Sequence, residues 1–227
     1  MSTSLPLPLL SLLEARVLGV LVEKERTVAD TYPLSLNALL SGCNQKSNRE
    51  PVIEASEAEV QAAVDALKAR TLVIESSGAR VARYSHNIGR VLKVPDQAVA
   101  LLAALMLRGA QTSAELRTGT ERLHRFADIS SVEAFLNELG SRSDELGGAL
   151  VKRLPRRPGE REARWMHCLS GPPSEADAPA EARTLGPDDL SVSEIVALKA
   201  HVVRLEDELT QLRARFDRLT RELGVSS

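Results

Sequence analysis

Apolar positions along this chain fall into two matching series. Leu13, Val17, Val20 and Leu21 share one stripe of a helix that Ser11 is placed to cap, with Glu14, Glu23 and Lys24 off the stripe. Tyr32-Pro33 interrupts the chain, and Ser35 caps a second helix carrying Leu36, Leu39 and Leu40. Ser56-Glu57-Ala58-Glu59 has the form of a capping box at the head of a third helix. There Val60, Val64 and Leu67 recur at i, i+4 and i+7, one face of a helix, and Arg70 follows. Leu72-Val73-Ile74 and Arg80 to Tyr84 then read as a hairpin across the short turn Ser76-Ser77-Gly78-Ala79.

The same order is written again. Val99, Leu102, Leu105 and Met106 mark a helix that stops at Arg108-Gly109, and Thr112 opens another with Leu116 and Leu123. Ser130 or Ser131 caps a third, in which Val132, Leu136 and Leu139 repeat the spacing of Val60, Val64 and Leu67, and Arg142 stands where Arg70 stood. Ala149-Leu150-Val151 and the return from Trp165 to Leu169 form a second hairpin, joined by a long wing from Pro155 to Glu162. Three helices followed by a hairpin is the order of a winged helix-turn-helix domain. The expected fold is therefore mainly α with small β-hairpins, an α+β class: winged helix-turn-helix domains in tandem over residues 1–90 and 91–170.

Beyond them the pattern changes twice. Residues 171–190 are rich in Pro, Ala, Asp, Glu and Ser, a composition that cannot bury a core and predicts a flexible linker. From Ile195 through Leu198, Val202, Leu205, Leu209, Leu212, Phe216 and Leu219 to Leu223, spacings of three and four alternate as a heptad seam. Residues 191–224 are therefore expected to form a coiled coil. Val202 at an a position with Leu at d favours a homodimer, and Glu208 at g with Arg213 at the next e would give a parallel pair reciprocal ion pairs, the strand orientation being left open.

Composition narrows the class. Hydrophobic residues make up 43% of the 227, enough for a core in each repeat, but aromatics are only 3%, so Leu, Val and Ala must pack it. The N-terminal leucines lack a leading basic cluster and are interrupted by Pro6, Pro8, Glu14 and Arg16, so neither a signal peptide nor a membrane span is expected. Cys43 and Cys168 have no metal-type spacing and lie in different repeats, which points to a reduced, cytoplasmic setting without cofactor or metal. His86, His124, His167 and His201 are scattered, and no phosphate-cradling glycine loop or nucleophile elbow occurs, so enzyme chemistry is not expected.

The net charge of -2 gives no general pull toward nucleic acid, but its distribution is uneven, with a slight basic excess between about residues 90 and 170. Lys152, Arg153, Arg156, Arg157, Arg161 and Arg164 cluster on the second hairpin, opposed by Glu160 and Glu162. Guanidinium forks on such a wing suit phosphate oxygens of double-stranded DNA; the competing reading is a charged edge that keeps the hairpin soluble. The third helices point the other way. Glu57, Glu59 and Asp65, then Glu133 and Glu138, occupy exposed positions where a base-reading helix places Arg, Lys, Asn or Gln, though Gln61 and Asn137 could still reach bases. A polar loop at residues 44–51 contains Asn44, Gln45, Lys46, Asn48 and Arg49, side chains able to bind a protein partner or to satisfy the buried ends of two helices.

These residues resemble the YceH family of bacterial proteins of uncharacterised function. The likeness runs through Leu13-Glu14-Ala15-Arg16-Val17, Tyr32-Pro33-Leu34-Ser35, Cys43-Asn44-Gln45-Lys46, Asn48-Arg49-Glu50-Pro51, Arg108-Gly109-Ala110-Gln111-Thr112, Pro158-Gly159, Arg161-Glu162 and Trp165-Met166-His167. Ser113 stands where that family commonly has proline, and Trp165 where tyrosine is usual. The resemblance implies tandem winged helices with a coiled-coil tail and no defined substrate. The functional expectation is a non-catalytic, dimeric regulator that contacts DNA phosphates through the second wing. Its alternative is an adaptor that binds another protein through the acidic third helices and the 44–51 loop.

Overall fold

The structure is a computed structural model, which describes residues 9–76, 81–156, 160 and 162–171. Residues 172–190 of the expected linker and the whole of the expected coiled coil, 191–224, lie outside the described residues. What is described is α+β, with helices and two small antiparallel sheets.

The first half opens with α1 (Leu12–Thr27), held at its start by a full capping box between Ser11 and Glu14. Strand β1 (Leu34–Ser35) leads into α2 (Leu36–Cys43), whose N-cap Ser35 accepts from the Ala38 amide. Helix α3 (Glu57–Ala69) begins with the expected Ser56–Glu59 box, and β2 (Val73–Ser76) pairs with β3 (Arg83–His86). A short α4 (Ile88–Leu92) then joins the halves. In the second half α5 (Asp96–Arg108), β4 (Gln111–Thr112), α6 (Ser113–Gly119), α7 (Ile129–Gly140), β5 (Val151–Arg153) and β6 (Arg164–His167) follow in the same order.

The repeat extends to hydrogen-bond register. The sheets have orders β1-β3-β2 and β4-β6-β5, with Leu34 opposite Tyr84 in one and Gln111 opposite Trp165 in the other. Val73 faces His86 just as Val151 faces His167. After each third helix an arginine reaches back to the segment entering the first helix of its half: Arg70 to the Leu9 carbonyl at 3.4 Å, and Arg142 to the Leu92 carbonyl at 2.8 Å.

Several local expectations change. The N-cap of α7 is Asp128, whose carboxylate accepts from the Ser131 amide at 2.7 Å, so Ser130 and Ser131 lie in the first turn. An Asp two or three residues ahead offers the stronger acceptor to the free amides of that turn. Helix α6 ends at Gly119, which leaves Leu123 in the turn beyond it. Strands β1 and β4 have two residues each and depend on β3 and β6 for their pairing, so no periodicity announces them.

The halves share one core. Helices α1 and α5 pack on each other, and buried side chains from both halves form a continuous cluster that includes Leu18, Leu21, Leu67, Leu102, Leu105 and Leu136. Gly19 is required at this crossing, because a Cβ there would stand 2.9 Å from Leu107 Cγ. Consequently α1 is buried on nearly every side from Glu14 to Val22, where an amphipathic pattern alone implies a single stripe. Among the described residues no helix is long and apolar enough to cross a membrane.

Candidate nucleic-acid interface

The residues expected to contact phosphate divide once their neighbours are known. Lys152 and Arg153 project from β5, an edge strand of its sheet, and both are exposed, as is Arg156 just beyond. The Arg153 guanidinium lies 5.9 Å from the centroid of the Trp165 ring, so the buried indole holds it at the surface without neutralising it. Arg157 and Arg161 lie outside the described residues.

Arg164 is different, because its guanidinium is engaged within the chain. Its guanidinium donates to the Ala110 carbonyl at 3.3 Å and pairs with Glu160 at 3.3 Å, with Glu115 at 3.9 Å. Arg83 occupies the corresponding site of the first half and donates to the Pro33 carbonyl at 2.8 Å. Thr112 pairs with Arg164 as Ser35 pairs with Arg83, and each is the N-cap of its second helix. This arginine braces the strand entering the second helix, a need of the fold in both halves.

The two hairpins differ in the charge on their edge strands. At the positions of Lys152, Arg153 and Leu154 the first half carries Ile74, Glu75 and Ser76. Glu75 there accepts an ion pair from Lys68 of α3. Two halves with one fold and one register thus carry opposite charge on equivalent edge strands, so folding does not demand the cations of β5.

Both third helices expose acid. Glu57, Glu59, Asp65, Glu133 and Glu138 are all exposed. Glu59 is held by Ser56, and Asp65 by Gln61 and Lys68; hydrogen bonds from these neighbours keep both carboxyls below the ordinary carboxylate range, so they remain charged. Gln61 also accepts from the Tyr84 hydroxyl at 3.4 Å, which occupies a side chain considered for base contact. Glu133 and Glu162 line a small cleft with Arg153 and Arg156, bringing acid close to the wing. A helix presenting this face to a duplex would bring carboxylates toward phosphates.

The 44–51 loop is largely an internal clasp. Asn44 forms a reciprocal pair with the Ala55 backbone, both bonds at 2.8 Å. The Arg49 side chain is 0% exposed; it pairs with Glu23 at 2.6 Å and donates to the carbonyls of Gly42 at 3.1 Å and Asn48 at 2.8 Å. Arg49 is therefore withdrawn from partner contact, and Asn44 spends its amide within the chain. Gln45 is half-buried, while Lys46 and Asn48 are exposed and available. The loop has a second anchor that sequence patterning does not single out: Arg16, fully buried, donates to the carbonyls of Cys43 at 3.2 Å and Pro51 at 2.6 Å. A signal for it does exist, since a cation between Leu13 and Val17 on the core-facing register needs a buried acceptor.

Among the described residues no group of three or more His, Cys, Asp or Glu side chains is placed to hold a metal ion. Burial pushes the Cys43 thiol up to about 12, which leaves it protonated and a poor nucleophile.

Comparison with known proteins places the chain without supplying a chemistry. A UPF0502 protein of Methylibium petroleiphilum is 61% identical over 96% of this chain and 92% of its own length. UPF0502 proteins of Acidovorax sp. strain JS42 and Burkholderia cenocepacia strain J2315 are 58% and 56% identical, each over 94% of this chain and over 93% and 89% of their own lengths. The model of the DUF480 family, described as proteins of unknown function, matches residues 10–160. By this match and these relatives, the chain belongs to the DUF480 family, the YceH-type proteins that the sequence motifs resembled.

Proposed function

We propose that the two halves are tandem winged helix-turn-helix units and that the second binds duplex DNA through phosphate contacts from its wing, without reading bases. The observation that carries this reading is the charge difference between equivalent edge strands, Lys152 and Arg153 on β5 against Ile74 and Glu75 on β2. Arg156 extends the cationic edge, and the sequence adds Arg157 and Arg161. Exposed carboxylates on α3 and α7 argue against major-groove insertion and so favour binding that depends on backbone charge. The heptad seam from Ile195 to Leu223 supports a dimer, which would present two such wings. No catalytic step is part of this function.

Titrating fluorescent duplexes of unrelated sequence across a salt series tests the proposal. Wild type should bind with little sequence preference and a linear log-log salt dependence. Lys152→Ala with Arg156→Ala should weaken binding to every duplex and reduce the slope by about one unit for each phosphate that is no longer neutralised. Absence of binding at low salt would refute the proposal.

A second reading has its own support. The exposed face of α3 alternates Ala58 and Ala62 with Glu57, Glu59 and Asp65, a surface suited to a basic protein partner. If duplex DNA is not bound, this adaptor reading takes precedence, and charge reversal on α3 should then abolish capture of the partner.

A further inference from the structure

A wide cleft lies away from Lys152, Arg153 and Arg156. It has a volume of about 1030 Å³ and sits where the two halves meet, between the end of α1, the 44–51 loop, the end of α5 and helix α6. Two motif-bearing segments of the sequence converge there. Gln45 and Asn48 come from the first, and Arg108 and Gln111 from the second. They are tied by the Glu50 amide, which donates to the Leu107 carbonyl at 2.8 Å.

The charges of the cleft are unevenly committed. Glu23 is engaged by Arg49 at 2.6 Å and Lys24 at 3.4 Å, and Glu115 closes the capping box with the Thr112 amide at 2.8 Å. Arg164 is held by Glu160 and Ala110. The side chains of Arg108 and Arg122 make no hydrogen bond or ion pair among the described residues, while Glu121, their acidic neighbour, is exposed at the rim. Arg108 is only partly exposed, and its position depends on a glycine. A Cβ on Gly119 would collide with Arg108 Nη1, so the guanidinium occupies the space a side chain there would fill. A guanidinium without an acid of its own, laid against bare backbone inside a cleft, is a preorganised anion receptor.

We propose that this cleft binds a small organic phosphate, with Arg108 as the principal phosphate contact, Lys24 and Arg122 as supporting cations, and the apolar wall of Val28, Leu107 and Leu123 taking the organic part. Phosphate is favoured over a single carboxylate because the cations are rooted on three separate segments, α1, the end of α5 and the turn after α6, and can approach one group from several sides. The volume exceeds what an inorganic ion fills and suits a ligand of mononucleotide size. This site is independent of the wing, since Lys152, Arg153 and Arg156 do not line it.

Calorimetric titration of the full-length protein with pyrophosphate and with adenosine monophosphate tests the proposal, with adenosine as the uncharged control. Saturable binding of at least one phosphate probe at one site per chain is expected, with none of adenosine. Arg108→Gln should weaken it about tenfold or more while leaving the melting temperature unchanged, because Arg108 has no partner to lose among the described residues. Gly119→Ala is the second variant: its methyl group displaces only the end of a flexible side chain, so the fold should persist while binding falls. Lys152→Ala with Arg156→Ala should leave binding intact. No saturable binding of either phosphate probe at low salt overturns the proposal, as does binding that survives both Arg108→Gln and Gly119→Ala, or that is abolished by the wing variant instead.

Discussion

Replacing Arg49 with alanine separates a structural loop from a partner-binding one. In the native protein its guanidinium, with no exposed side-chain surface, satisfies Glu23 and the carbonyls of Gly42 and Asn48. Deleting it leaves a carboxylate that is 15% exposed with Lys24 as its remaining ion-pair partner, and two carbonyls without that donor. Breaking a buried ion pair on one side costs about 3–5 kcal/mol; water that reaches Glu23 places the cost near the lower end. At about 2–4 °C per kcal/mol for a chain of this size, the melting temperature should fall by about 6–12 °C. The pH dependence gives a second signature. Burial raises the Glu23 carboxyl, but the hydrogen bond and charge of Arg49, helped by Lys24, carry it below its ordinary value of 4.5. A depressed native value means that the pair's contribution is complete above the unfolded value and is lost as pH falls through the folded one. Thermal unfolding from pH 7 to 3 should show that acid-side loss in the wild type and a much flatter response in Arg49→Ala. Adding Glu23→Gln to Arg49→Ala should recover part of the stability by removing the largely buried charge that Arg49 no longer offsets. A melting temperature within about 2 °C of wild type would refute the clasp and return Arg49 to the surface.

Leu67→Ala and Leu139→Ala each remove a buried leucine and should cost about 2–5 kcal/mol, and because the core is continuous both should shift one common calorimetric transition; two separately moving transitions would contradict the shared core. Cys43, with its thiol raised to about 12 and no surface exposure, should resist alkylation by iodoacetamide at pH 8 until denaturant opens the fold, and labelling at the rate of a free thiol would show that α2 does not pack as described. Truncation before Leu190 should convert a dimer into folded monomers by light scattering, and a monomeric full-length chain would remove the heptad argument.

How far these features are legible in the sequence depends on how local their causes are. Ser11, Ser35, Ser56 and Thr112 cap helices through bonds three residues away, so the sequence announces them. Asp128 is hidden because two serines follow in positions that look equally suitable, and the choice rests on which oxygen reaches the Ser131 amide. Strand β4 exists because β6 returns beside it, a pairing of Gln111 with Trp165 that no local window contains. The wing cations are visible as a cluster, but whether each faces solvent depends on acceptors such as the Ala110 carbonyl.

The duplicated architecture supplies the missing discrimination. A feature shared by both halves in the same register, such as the arginine on the central strand that braces the entry to the second helix, is explained by folding wherever it occurs. A feature found in one half at a position where the other folds equally well without it has no such explanation. Lys152 and Arg153 belong to the second kind, and Arg164 to the first, although all three stand in one basic run of sequence. The same reasoning reaches the cleft: Gly119 sits at the end of the second helix of its half and Gly42 near the end of the second helix of the other, and a Cβ on Gly42 would meet Val20 at 2.6 Å. One glycine admits an apolar core side chain, as close packing of α1 and α2 requires. The other leaves room for a guanidinium that makes no ion pair among the described residues, which is the charge on which the proposed phosphate contact rests.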